Sequence, residues 1–101
     1  MQIKSTKEGG KTKVSLSGRF DFNSHREFRG AYEPALTDVL VREVEIDLGA
    51  VDYLDSSALG MLLLLREKAT ASQKSLSLTN CRGIVKQVLD VANFGKLFTI
   101  R

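Results

Sequence analysis

Cysteine, histidine and proline occur once each in this 101-residue chain, and tryptophan does not occur at all. A lone Cys81 excludes a disulfide framework and a cysteine-built zinc site, and a lone His25 excludes most histidine-rich metal sites. Long apolar runs are also missing. The longest, Met61–Leu65, is far short of the roughly 20 residues that a membrane-spanning helix needs. No apolar stretch follows a basic start, so a signal peptide is not expected, and a cytoplasmic location is. Hydrophobic content of 43% and charged content of 27% suit a globular chain. The length suits one domain, residues 1–101, with one modest core.

Charge is unevenly placed. Residues 1–29 hold Lys4, Lys7, Lys11, Lys13, Arg19, Arg26 and Arg29 against Glu8, Asp21 and Glu27, so that segment is +4 and the rest −1 of a net +3. A basic face of this kind suits nucleic acid or an acidic protein. No nucleic-acid-binding motif accompanies it, and Lys11 and Lys13 alternate with apolar residues, as on a solvated strand face. Direct nucleic-acid binding is therefore not expected.

The hydrophobic pattern alternates between periods of two and of 3.6. Strands are expected over 2–5 and 12–17, joined by a Gly9-Gly10 turn. A helix is expected over 24–40, with Ser24 and Glu27 as a capping box and Phe22 and Phe28 flanking its start. Phe28, Tyr32, Ala35, Leu36, Val39 and Leu40 form its apolar stripe, and Pro34 should kink or divide it. Val44, Ile46 and Leu48 mark a strand over 43–48, followed by a connection from Gly49 to Leu54. A second helix opens at Asp55 or Ser56 and runs to about Ala71. Its four consecutive leucines suggest burial on more than one side. A strand over 75–79, a third helix bearing Ile84, Val85, Val88, Leu89 and Ala92 with Gly95 as its stop, and a short strand over 97–100 complete the chain. The order β-β-α-β-α-β-α-β predicts an α/β fold with parallel strand pairs.

Most candidate chemistry dissolves on inspection. Gly9-Gly10-Lys11-Thr12 looks like the end of a phosphate-binding loop, but Ser5 stands where the first glycine belongs and a strand follows. Cys81 has no partner thiol or histidine near it in sequence, so a buried thiol is expected. A serine triad would need His25 as its base, and no Gly-x-Ser-x-Gly turn is present.

The informative segment is Val51-Asp-Tyr-Leu-Asp-Ser-Ser-Ala-Leu-Gly60, where a strand gives way to a helix through Asp55, Ser56 and Ser57. Two readings fit. Asp55 or Ser56 caps the helix, a contribution of about 1 kcal/mol. Alternatively a serine at this positive helix end accepts a phosphate, adding roughly −1.5 to −2 charges.

Asp55-Ser56-Ser57-Ala58-Leu59-Gly60 resembles the Asp-Ser-Ser-Gly-Leu-Gly segment at the second helix of STAS domains of the bacterial anti-sigma factor antagonist family. Gly18-Arg19-Phe20-Asp21 is similar to the family's Gly-x-x-Asp at the end of the second strand. Val85-Lys86-Gln87-Val88-Leu89 through Leu97-Phe98 resembles the closing helix and strand. The resemblance covers essentially the whole chain, with Ala58 in place of the commoner glycine and Pro34 as a less expected feature.

The resemblance implies a mixed β-sheet with helices packed mainly on one side. It implies that Ser56 is phosphorylated by a serine kinase of the histidine-kinase-like ATPase fold and restored by a metal-dependent serine phosphatase. The unphosphorylated form would bind that kinase or anti-sigma factor, and the phosphorylated form would release it. Asp21 and Asp55 would flank the site, Ser57 would support the turn, and Tyr53 and Met61 are candidates for partner contact; Leu54 is expected in the core. No enzymatic activity, cofactor or bound metal is implied. Alternatives are a non-phosphorylated STAS subunit of a transporter or signalling scaffold, and a small hydrolase using Ser56, for which no base is evident.

Overall fold

Gly9 and Gly10 take φ values of +54° and +83°, a backbone that a two-residue hairpin requires and glycine adopts freely. They join β1 (Gln2–Glu8) to β2 (Lys11–Phe20) in an antiparallel ladder running from Glu8 opposite Lys11 to Gln2 opposite Ser17. In the computed structural model, which describes residues 1–101, this hairpin begins a five-stranded sheet in the order β1-β2-β3-β4-β5. The remaining elements are α1 (His25–Thr37), β3 (Glu43–Leu54), α2 (Ser56–Ala71), β4 (Ser75–Thr79), α3 (Gly83–Val91) and β5 (Thr99–Ile100). From β2 onward each strand pairs parallel with the next. Successive right-handed crossovers to adjacent strands place all three helices on one face.

Strand alternation gives the sheet two unlike faces. Val14, Leu16, Val44, Ile46, Leu48 and Leu78 point to the helices, where Phe28, Tyr32, Leu62, Leu65, Val85 and Leu89 complete one core. The opposite face carries Lys11, Lys13, Glu43, Glu45, Asp47, Ser77 and Thr79. Glu45 is buried there. It pairs with Lys11 and accepts a hydrogen bond from Thr79 Oγ1 at 2.7 Å. The Lys11 ammonium holds the Glu45 carboxyl below its ordinary range, against the opposing effect of burial. Lys13 lies 3.6 Å from Asp47. Much of the basic excess of the N-terminal segment is thus spent in pairs across this polar face.

Several elements differ from the sequence expectation. β3 is twelve residues long, because Gly49–Leu54, expected as a connection, stays paired with β2 through two register shifts as far as Phe20 opposite Leu54. Ser24 stands at the N-cap of α1, as expected, but its side chain makes no capping hydrogen bond to that helix. It is buried in a 3₁₀ turn, Phe22–Ser24, that precedes the helix, and Asp21 caps that turn. The helix stays single across Pro34 but ends at Thr37, where Asp38 turns extended and its carboxylate accepts from Leu40 N at 2.9 Å. Val39 and Leu40 therefore leave the apolar stripe and are exposed, while Val41 enters the core. On α2, Leu62 and Leu65 are buried but Leu63 and Leu64 face outward. Asn93, with φ +59°, follows the end of α3; Gly95 lies beyond it in a second 3₁₀ turn.

Candidate functional site

Two adjacent parallel strands end together and are continued in the same way. Phe20 of β2 stands opposite Leu54 of β3, and the next residue in each chain segment is an aspartate that caps a helical turn. Asp21 Oδ1 accepts from Asn23 N at 3.0 Å, while Ser24 Oγ accepts from Asp21 N at 3.4 Å and donates to the Arg19 carbonyl at 3.2 Å. Asp55 Oδ1 accepts from Ala58 N at 3.0 Å. The geometry follows from the residue type: a short carboxylate on an extended residue satisfies an amide that the first helical turn leaves without a partner.

Register therefore makes Asp21 and Asp55 the next residues of neighbouring strands at the carboxyl end of the sheet, although they lie 34 positions apart in sequence. Each is followed by the first residue of its helical turn: Phe22 after Asp21, and Ser56 after Asp55. Both are exposed, Phe22 to 73%. Because Asp55 makes the cap, the Ser56 hydroxyl is left outside the capping arrangement. Ser57 is half-buried beneath it.

Tyr53 is exposed at the same rim, and the Arg19 guanidinium lies 4.0 Å from its ring centroid. The same guanidinium approaches Asp21, with Nε 3.5 Å from Oδ2. Asp52 is exposed beside Tyr53. The rim thus carries the carboxylates of Asp21, Asp52 and Asp55, with the Arg19 cation beside Asp21. Met61 is buried at 7% exposure, and Leu54 is in the core. The outward face of α2 continues from Ser56 through Gly60 to Leu63 and Leu64. Open space surrounds the position a Gly60 side chain would occupy, so this glycine does not serve close packing inside the protein.

Leu63 and Leu64 are members of this surface that sequence reading did not single out, whereas Phe22 was noted only as flanking a helix start and Gly60 only as part of the Asp55–Gly60 segment. Arg19 was legible as one of many basic residues and as a variable position of the Gly18-Arg19-Phe20-Asp21 segment, with no role attached. Leu63 and Leu64 were masked by the leucine run, in which outward and inward residues are chemically identical. This surface offers an exposed hydroxyl at a helix start, a charged rim and a shallow apolar strip. Such a combination suits a docking surface whose centre can be covalently altered.

The family model described as Mlab, STAS domain, matches residues 3–99. A STAS-domain containing protein of Pseudomonas aeruginosa is 44% identical over 93 residues, covering 92% of this chain and 90% of that protein. Among solved structures, an anti-sigma factor antagonist from Mycobacterium paratuberculosis superposes with a TM-score of 0.85 at 23% identity, covering 98% of this chain and 83% of its own. The anti-sigma factor antagonist SpoIIAA in its unphosphorylated form gives 0.77 at 16% identity over 99% of this chain and 87% of that one. SpoIIAA of Bacillus in the phosphorylated form gives 0.76. A sulfate transporter family protein from Wolinella succinogenes gives 0.74 at 15% identity over 86% of this chain and 70% of that chain.

Proposed function

The chain belongs to the STAS domain family, and from that membership we propose that it is an anti-sigma factor antagonist: a non-catalytic binding module switched by phosphorylation of Ser56. The observation that carries the reading is the division of labour at the start of α2. Asp55 holds the helix, and Ser56 is exposed and left over for chemistry. A serine kinase of the histidine-kinase-like ATPase fold, acting as kinase or anti-sigma factor, would be the partner. It would transfer the terminal phosphoryl group of ATP to Ser56 Oγ, with loss of the hydroxyl proton. A metal-dependent serine phosphatase would reverse the change by hydrolysis.

The physics supports a switch of this kind. Docking would cover Ser56, Gly60, Leu63 and Tyr53 together. A phosphate of about −2 beside Asp21, Asp52 and Asp55 adds repulsion and a desolvation cost at the centre of that contact. The matches to SpoIIAA in both forms support the view that such a group alters a surface rather than a fold. The likeness to a sulfate transporter family protein favours a second reading, a STAS subunit of a membrane transporter that is never phosphorylated.

Pull-downs from native lysate with wild type, Ser56→Ala and Ser56→Asp as baits test the choice. A kinase-fold or anti-sigma protein held by Ser56→Ala and weakened at least about tenfold by Ser56→Asp, a loss of about 1.4 kcal/mol, is the expected result. Equal retention by all three baits would remove the switch, and co-purified transporter ATPase subunits would establish the second reading.

A further inference from the structure

Arg19 is the one cation in contact with a carboxylate of the rim, Asp21, and its present ties are of a kind that can be exchanged. Its side chain is 63% exposed. The guanidinium rests on the Tyr53 ring and approaches Asp21 no closer than 3.5 Å, from Nε to Oδ2, a long contact for a charge-assisted pair and not the two-pronged fork that arginine makes with its best anions. Its backbone is held independently: the carbonyl accepts from Ser24 Oγ, and the residue pairs with Tyr53 in the sheet. The side chain is therefore free to change partner without loss of the strand.

Arg19 stands one residue before the Phe20–Leu54 pair and Ser56 two residues after it. At most about 10 Å along the strand direction and about 4.8 Å across to the neighbouring strand separate the two positions, roughly 11 Å in all, a span that an extended arginine and a phosphoserine side chain bridge together. A phosphate dianion carries about twice the charge of a carboxylate and offers three oxygens to the planar guanidinium.

We infer that Arg19 is the positioning residue for the phosphorylated state: it leaves Asp21 and pairs with the phosphoryl group on Ser56, with Tyr53 as the platform beneath it. This rests on Ser56 being the modified residue. Phosphorylation then acts twice on the partner-binding rim, adding negative charge at Ser56 and stripping Asp21 of its counter-ion. Both changes oppose the return of a partner that had docked on the unmodified surface.

The test uses the full chain with phosphoserine genetically encoded at position 56, so it needs no kinase. The ³¹P resonance is titrated in wild type, Arg19→Gln and Arg19→Lys. The second ionisation of the phosphate is expected at least about half a pKa unit lower in wild type than in Arg19→Gln, with Arg19→Lys between them. Because Arg19→Gln removes a strand-end interaction, a second measurement uses the wild-type side chain: the Arg19 Nε–Hε resonance is expected to shift on phosphorylation. Superimposable titrations, or an Nε–Hε signal indifferent to the phosphate, would overturn the assignment. The switch itself would fail in a different way, through a partner that binds the phosphoserine and serine forms equally, whatever Arg19 does.

Discussion

Asp55 and Ser56 are neighbours with opposite duties, and the difference is measurable. Asp55 Oδ1 satisfies the Ala58 amide, so Asp55→Ala should cost about 1 kcal/mol of stability. Ser56 is exposed and outside the cap, so Ser56→Ala should stay within about 0.5 kcal/mol of wild type. Urea denaturation of both variants checks this, and a larger loss at Ser56 than at Asp55 would make the serine the cap. Gly60 gives a third case. It sits inside α2 facing open space, so Gly60→Ala should stabilise the helix by up to about 1 kcal/mol. Gly60→Lys should fold equally well yet obstruct the partner in a binding assay. Equal binding by Gly60→Lys would place the docking surface elsewhere.

At the level of elements, the polar face of the sheet joins β2, β3 and β4 through Glu45, which faces Lys11 on one side and Thr79 on the other. Its carboxyl is held below the ordinary value of 4.5, first by the hydrogen bond from Lys11. The folded pKa lies below the unfolded one, so the contribution is present above about pH 4.5 and is lost as the pH falls through the folded value. Asp38, held down by its hydrogen bond from Lys7, titrates in the same direction. Urea midpoints at about pH 7 and about pH 3 should therefore fall with acid, and less steeply in Glu45→Gln. Identical slopes in the two proteins would mean that Glu45 contributes nothing to the acid limb. The same element level explains why β3 exceeded its expected length. Gly49, Ala50 and Asp52 break the alternation of the strand, and its pairing with β2 persists only because register shifts absorb the extra residues.

Across the whole molecule, stability and recognition occupy different places. The core lies between the sheet and three helices on one face, whereas Ser56, Asp21 and Tyr53 stand at the rim where strands end. Leu62→Ala should cost 2–5 kcal/mol, about the range for truncating a buried leucine. Leu63→Ala, next to it in sequence but outward-facing, should change stability by less than about 0.5 kcal/mol while weakening partner binding. Calorimetry paired with a binding assay separates the two effects. A large stability loss at Leu63 would show that its side chain belongs to the core.

The order of elements, the Gly9-Gly10 hairpin and the start of α2 were legible in the chain because each rests on local physics: backbone freedom at glycine, hydrophobic period, and a short polar side chain before a helix. Asp55-Ser56-Ser57 could be recognised for the same reason, since its residues are contiguous. The outward turn of Leu63 and Leu64, the release of Val39 and Leu40 from the core and the 3₁₀ turn capped by Asp21, with the Ser24 hydroxyl turned to the Arg19 carbonyl, were not legible. Each depends on what packs against the residue or where a neighbouring strand stops. Asp21 and Asp55 follow the ends of neighbouring strands, and Arg19 meets Tyr53, only because β2 and β3 pair in parallel through two register shifts. That register places Phe20 and Leu54 together in the core, an outcome of packing among distant residues that no local pattern encodes.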